Sequence, residues 1–226
     1  MTFSIAALCR RTGYFGCALS TSSMAAGGRA MSISPDAGVV FSQARSDPSL
    51  GRLGIERLRA GAPAEAVLRD MREATPHARW RQLAVLDREG RTATATGESC
   101  TDAKGGIARH GVVAVGNGLA NAQVVPATIA GFEAASDLEL PERLLAALTA
   151  GEDAGGEAFP LRSAALAIAA PGIPLLRADL RVDFDPDPIA RLRELLHLWT
   201  PMADGYVQRC VDPDNSPAAN LIEGHA

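Results

Sequence analysis

The chain has no run of the roughly eighteen uninterrupted apolar residues that a membrane span requires, so a membrane is not an expected partner. Its four cysteines, Cys9, Cys17, Cys100 and Cys210, show no CxxC spacing. That excludes a structural zinc site and points to reduced thiols in a cytoplasmic protein. The four histidines, His77, His110, His197 and His225, lack HExxH or other ligand spacing and read as solvated side chains, so no metal is expected. A net charge of −4, from 22 basic and 26 acidic residues, leaves no electrostatic footprint for a phosphate backbone. Nucleic acid is therefore excluded as a partner. No signal peptide is expected, because Arg10-Arg11 interrupts the short apolar start and no basic region precedes it. The glycines from Gly151 to Gly156 are not followed by Gly-Lys-Ser/Thr, so they read as a flexible connection and no nucleotide or other cofactor is expected. Aromatic residues make up only 4%, which with abundant alanine, glycine and arginine matches GC-rich coding and carries no functional meaning.

What remains is an ordinary globular composition, 47% hydrophobic and 21% charged over 226 residues, enough for one large core. Apolar runs at 3–8 and 14–19, separated by Arg10-Arg11-Thr12-Gly13, predict a hairpin. Strands follow at 30–33 and 39–43. Asp47-Pro48 predicts a helix start and Gly61 its end, and a second helix follows Ala62-Pro63. The pattern returns to strands at 82–86, 92–96 and 112–116, then to helices at 124–135 and 141–148, then to strands at 163–169 and 178–184. Asp187-Pro188 predicts a last amphipathic helix to about Trp199, which makes Asp183-Phe184-Asp185-Pro186 a turn ahead of its cap rather than a cation site. Helices arriving in pairs between hairpin-connected strands predict an α+β fold with two mostly antiparallel sheets packed face to face and helix pairs outside. One domain over residues 2–200 is expected. The polar, turn-rich tail 201–226 reads as loosely packed or held at a subunit contact.

The start, Met1-Thr2-Phe3-Ser4-Ile5, gives that architecture a chemical meaning. Removal of one methionine places a hydroxyl and a free α-amine on the same residue, a nucleophile together with its base. With a pKa of about 7.7–8.0 the amine is partly neutral near pH 7 and able to accept a proton. Many chains carry a small residue after the initiator methionine, so the rest of the sequence must decide.

Thr2-Phe3-Ser4-Ile5-Ala6-Ala7, Gly16-Cys17-Ala18-Leu19-Ser20, Asp47-Pro48-Ser49-Leu50-Gly51, 81–87 (RQLAVLD), Ser163-Ala164-Ala165-Leu166 and Asp179-Leu180-Arg181-Val182-Asp183 together resemble the DUF1028 family over about residues 2–195. That resemblance implies membership of the N-terminal nucleophile (Ntn) hydrolase superfamily. It implies a four-layer αββα sandwich, and Thr2 as the nucleophile of an amidohydrolase acting on a small-molecule amide or carbamoyl C–N bond through an acyl-enzyme. A homodimer is the expected assembly. The position matching the brace at the end of the second strand in proteasome-like members is Ser20, within Ser20-Thr21-Ser22-Ser23. Where an acid and a lysine serve in those enzymes, this chain offers hydroxyls and Arg29, which keeps open an alternative: a non-catalytic protein that binds a ligand or partner in the same cleft.

Ser42-Gln43, at the end of a strand, and Asn117, bracketed by Gly116 and Gly118, are candidates for the oxyanion hole, although Asn117-Gly118 equally reads as a turn. Ser4 shares a strand face with Thr2 by the two-residue period, and reads either as a site residue or as a buried hydroxyl bonded to backbone. Ser22, in the serine cluster, and Asp183, at a strand end, complete the candidates for substrate binding. Intact-mass measurement of the purified protein is expected to find the chain beginning at Thr2; full retention of Met1 would remove the amine from the hydroxyl it must serve.

Overall fold

The apolar segments at the start form β1 (Thr2–Leu8) and β2 (Phe15–Thr21), a hairpin in which Phe3 pairs with Ser20 and Leu8 with Phe15. The computed structural model describes residues 1–224. A single turn, α1 (Gly27–Ala30), leads into β3 (Met31–Ser34) and β4 (Gly38–Ala44). Helices α2 (Pro48–Arg59) and α3 (Ala64–Glu73) follow, then the hairpin of β5 (Arg81–Asp87) and β6 (Thr92–Thr96). The sequence continues through β7 (Lys104–Arg109), β8 (Val112–Asn117), α4 (Val124–Ala134) and α5 (Leu140–Asp153). It closes with β9 (Ser163–Ala169), β10 (Leu176–Val182), α6 (Pro188–Trp199), α7 (Ala203–Val211) and α8 (Ala219–Ile222). The fold is α+β, with two antiparallel sheets and eight α-helices among the described residues. One sheet has six strands in the order β10-β9-β2-β1-β8-β7, and the other has four in the order β3-β4-β5-β6.

Strand parity assigns the layers. On β1, Phe3, Ile5 and Ala7 join a core with Ile129 of α4, Leu144 and Leu148 of α5 and Leu192 of α6, so that face looks toward helices. Ala6, on the opposite face, packs with Cys17, Val115 and Ala167 of the large sheet and with Val39, Phe41 and Leu86 of the small one. The outer face of the small sheet, with Val40, Leu83 and Val85, is covered by Leu50, Ile55 and Leu58 of α2 and Val67 and Met71 of α3. Central strands buried on both faces read as continuous apolar runs, which is why Phe3–Leu8 and Ser163–Ala169 were visible in the sequence.

Caps mark the helices that the Asp-Pro pairs announced. The Asp47 carboxylate accepts from the Ser49 amide at 3.1 Å, and Asp187 accepts from the Ala190 amide at 3.3 Å. Three differences from expectation have physical causes. Strand β7, unanticipated because Lys104-Gly105-Gly106 looks like loop, is a sheet edge where small residues suffice: Gly106 lies directly over Thr94 and Val115. Helix α5 runs past Leu148 to Asp153, because Gly151 lets it close on Phe3 and Thr128, where a Cβ would come within 2.5 Å of the Thr128 hydroxyl. The expected flexible glycine connection thus begins as helix, and only Gly155 and Gly156, both at positive φ, form its end. Strand β10 is shifted to 176–182 since the Asp185 amide bonds to the Arg162 carbonyl and turns the chain.

The tail beyond residue 200 returns to the large sheet through α7. Tyr206 stacks on Trp199 with ring centroids 5.2 Å apart, Asp204 pairs with Arg177, and the Trp199 indole donates to the Arg177 carbonyl at 2.8 Å. His225 and Ala226, the last residues of the expected tail, lie outside the described residues. No helix among the described residues is long and apolar enough to cross a membrane.

Asp87 ties α3 to the β5–β6 hairpin. Its buried carboxylate accepts from the amides of Ala64 (3.0 Å), Glu89 (3.0 Å) and Arg91 (2.9 Å) and from Arg91 Nε (2.7 Å). Replacing it by alanine strands buried donors, so Asp87→Ala should lower unfolding stability in urea by about 3 kcal/mol. A loss below about 1 kcal/mol would show that water replaces the carboxylate there.

Candidate active site

Thr2 opens β1 at the edge of the layer between the sheets, on the same face as Ser4 and Ala6 and opposite Asn117 of β8. Toward this end the apolar inter-sheet core gives way to a buried polar set. The Ser4 hydroxyl donates to Gln43 Oε1 at 2.6 Å, and Gln43 Nε2 donates to Gln82 Oε1 at 2.8 Å. Asn117 Nδ2 donates to the same Gln82 oxygen at 2.9 Å. Gln82 Nε2 in turn faces the Gly116 carbonyl (2.8 Å), the Thr96 hydroxyl (2.8 Å) and the Gly105 carbonyl (3.1 Å). One side chain of the small sheet thereby holds backbone of two strands of the large one. Among buried groups such satisfaction is what makes polar packing tolerable.

Above this set sits residue 1. The Met1 carbonyl oxygen accepts from the Thr2 hydroxyl and, at 2.8 Å, from the Thr21 hydroxyl. The Met1 side chain lies across Gly118, which is at φ +64°; a Cβ at Gly118 would meet Met1 Cβ at 2.7 Å and Sδ at 2.9 Å. The loop after β6 closes this end, with the Gly118 amide donating to the Thr101 carbonyl at 2.8 Å and the Leu119 amide to the Ala103 carbonyl at 3.0 Å. On the other side, Ala158 donates to the Gly118 carbonyl at 3.1 Å and Glu157 bridges to Leu119. Glu157 is buried, 6% exposed; its Oε2 accepts from the Ser22 amide at 2.9 Å, while its Oε1 has no partner among the described residues. Burial pushes the Glu157 carboxyl above the ordinary glutamate value, opposed by the hydrogen bond from Ser22 and by the positive amino terminus nearby. Burial likewise raises the Cys100 thiol.

The structure brings together Thr2, Ser4, Gln43 and Asn117 and sets Ser22 beside them through its amide contact with Glu157. Ser20, Ser42 and Asp183 go elsewhere. Ser20 pairs with Phe3 and so shares its helix-facing side, donating to the Ser163 carbonyl at 3.2 Å. Thr21, one residue later, has the parity of Thr2 and takes the position expected of Ser20. Ser42 accepts from the Asp47 amide at 3.2 Å and fixes the turn into α2. Asp183 is exposed and lies 3.7 Å from Arg181 in an ion pair, while its carbonyl holds the Ala25 amide. Arg29 donates to the Met24 carbonyl at 2.6 Å. The lysine in this chain, Lys104, pairs across β8 with Asn117, one strand farther from Thr2, and its amino group donates to the carbonyls of Glu98 (2.7 Å) and Cys100 (2.8 Å).

Sequence reasoning missed Thr21, Gln82 and Glu157. Strand parity applied to the β1–β2 pairing would have selected Thr21 over Ser20. A glutamine inside the apolar run 81–87 is a signal for Gln82, whereas Glu157, in a glycine-rich turn, had none. An apolar groove lined by Tyr14, Leu140, Ile168 and Trp199 lies at the β1–β2 turn, the far end of β1 from Thr2.

Residues 2–192 match the model of a family of unknown function, DUF1028. Among solved structures, the chain is similar to the crystal structure of a DUF1028 protein from Silicibacter pomeroyi, with 35% identity, a TM-score of 0.80 and coverage of 87% of this chain and 88% of that one. No curated protein matches.

Because Gln82 satisfies donors from two other side chains and carbonyls of two strands, Gln82→Leu should cost about 3 kcal/mol or more in urea unfolding. Thr96→Val, which removes one peripheral partner, should cost about 1 kcal/mol. Equal effects would mean that the network is not centred on Gln82.

Proposed function

Since the chain belongs to DUF1028, a family of unknown function, we propose from the site itself that it is an amidohydrolase of the Ntn type, with Thr2 as nucleophile after Met1 is removed. In this reading the two sheets and their outer helices are the αββα sandwich of that superfamily. The observation that carries it is the Met1 carbonyl oxygen, held jointly by the hydroxyls of Thr2 and Thr21. A carbonyl is thereby seated within hydrogen-bond contact of the nucleophilic oxygen and gripped by a second donor.

In the processed chain a substrate carbonyl binds in front of Thr2 with its oxygen toward the Thr21 hydroxyl. Thr2 Oγ1 attacks the carbonyl carbon and gives its proton to the α-amine of the same residue. Thr21 Oγ1 donates to the oxygen as negative charge develops on it, a contact worth about 2.7–4 kcal/mol in comparable sites. The tetrahedral intermediate collapses by breaking the C–N bond, and the proton held on the Thr2 amine passes to the departing nitrogen. Water then adds to the Thr2 ester, its proton taken by the amine and returned to Thr2 Oγ1 as the acid leaves. Asn117, Gln43 and Ser4 position the strand ends beneath Thr2 rather than touching the reacting atoms, because their amides and hydroxyl are committed to Gln82 and to one another.

A second reading, a binding protein that retains the fold, is favoured by one observation: Lys104 is engaged by the carbonyls of Glu98 and Cys100 rather than by Thr2. Acylation separates the two. Incubated with β-lactones and activated aryl esters, the processed protein should gain one acyl mass that Thr2→Ala lacks and Thr2→Ser retains. The rate should rise with pH as the α-amine loses its proton at about pH 7.7–8.0. Thr21→Val should slow acylation by about 10²–10³-fold. Adducts equal in wild type and Thr2→Ala, or none at all, would favour the binding protein.

A further inference from the structure

Strand β10 is one edge of the six-stranded sheet. Among the described residues its backbone bonds to β9 on one side and, at the Arg177 carbonyl, to the Trp199 indole. The outward amides and carbonyls of 178–182 are left for water or for another strand. The other sheet edges are covered or short: β6 and β7 pack on each other, and β3 has four residues. On β10, Ala178, Leu180 and Val182 belong to the helix-facing core, so Asp179 and Arg181 share the opposite face, where both are exposed. Gly27 of α1 lies over Ala165, the β9 partner of Arg181, and the aliphatic part of Arg181 packs beside it. Neither charge is well matched within the chain. Arg181 has Asp183 at 3.7 Å, and Asp179 forms no ion pair among the described residues.

Charges on an open edge discourage most strands from pairing there, but these two complement their own copy in one register. An antiparallel pair related by a two-fold axis through Leu180 sets Asp179 of each copy opposite Arg181 of the other, and Ala178 opposite Val182. With the axis at Asp179, two aspartates would meet and Arg177 would face Arg181. With the axis at Arg181, two arginines would meet and Asp179 would face Asp183. An axis between residues would set the exposed face of one strand against the core face of the other, because a one-residue slip reverses every side chain. The register centred on Leu180 satisfies both face and charge.

We propose that two copies of the chain join through β10, antiparallel and centred on Leu180, so that two six-stranded sheets become one continuous sheet. Main-chain hydrogen bonds between the two strands supply the attachment, and the two Asp179–Arg181 pairs fix its register. The exposed Phe184, just past the end of β10, comes beside the start of the other β10 and adds apolar contact at each end of the ladder. The strands β1, β2, β9 and β10 alternate in direction, so the start of β1 and the end of β10 lie at the same end of the sheet. The two-fold axis therefore sends the two Thr2 residues to opposite ends of the joined sheet. Each site stays open and takes no residue from the other copy, so the assembly is independent of the reaction proposed for Thr2.

The test is sedimentation of the full chain at micromolar concentration, which should give twice the 23.5 kDa of one copy. Asp179→Arg and Arg181→Asp, each checked for folding by thermal melting, set like charges opposite one another at both ends of the ladder. Each should raise the dimer Kd at least about tenfold. Mixed in equal amounts, the two variants bring a strand with two arginines against a strand with two aspartates, and they should form a heterodimer as tight as the wild-type dimer. That recovery is expected only where residue 179 of one copy faces residue 181 of the other. A wild-type chain that stays monomeric, a dimer indifferent to both reversals, or two folded variants that fail to recombine would overturn the proposal.

Discussion

The structure depends on the Gln82 amide. The two sheets are held together over most of their area by side chains such as Phe41, Leu86, Val113 and Val115, but at the end that carries Thr2 the contact is polar and passes through this one group. Gln82 uses its oxygen for Gln43 and Asn117 and its nitrogen for carbonyls of β7 and β8 and for Thr96. A buried amide so employed fixes the distance and register between sheets more sharply than apolar contact does, since hydrogen bonds tolerate little displacement and dispersion contacts tolerate more. The pairing of Thr2 with Asn117 then places the first residue of β1 relative to both sheets.

Beneath Thr2 are amides and hydroxyls that are mutually satisfied, so in the proposed reading the amino terminus supplies its own base. Beside it are the Thr21 hydroxyl, already holding a carbonyl, and Glu157, a carboxylate with one oxygen engaged and one not. Gly118 contributes by what it lacks, since any side chain there would take the volume occupied by residue 1. The site is thus assembled from six separate stretches of chain: the start of β1, the end of β2, β4, β5, β8 with the residues after it, and the turn after α5.

Much of the fold was legible because its signals are local. The apolar runs of the first hairpin and of β9, the Asp-Pro starts of α2 and α6 and the turn Asp87-Arg88-Glu89-Gly90 each declare themselves within about ten residues. Strand β7 and the full length of α5 did not, because glycine there is chosen by a neighbour in space: Thr94 against Gly106, Phe3 and Thr128 against Gly151. The same divide runs through the site. Thr2, Ser4, Gln43 and Asn117 were identifiable as polar residues at strand ends. Position along β2 points to Ser20, but the face selects Thr21, because a shift of one residue reverses the face. Ser42 and Gln43 are neighbours in sequence but look toward opposite layers, as alternate residues of β4 do. Glu157 was invisible, since only the bridge to Leu119 and the Ser22 amide bring that turn to the amino terminus.

The central claim is that a freed Thr2 is the nucleophile and Thr21 its carbonyl donor. A crystal structure of the processed chain after reaction with a β-lactone addresses both at once. The account predicts continuous density from Thr2 Oγ1 into the opened lactone, with the ester carbonyl oxygen within hydrogen-bond distance of the Thr21 hydroxyl and the acyl chain over Gly118. An unmodified Thr2, or an acyl group found instead on the exposed Cys210, would contradict it.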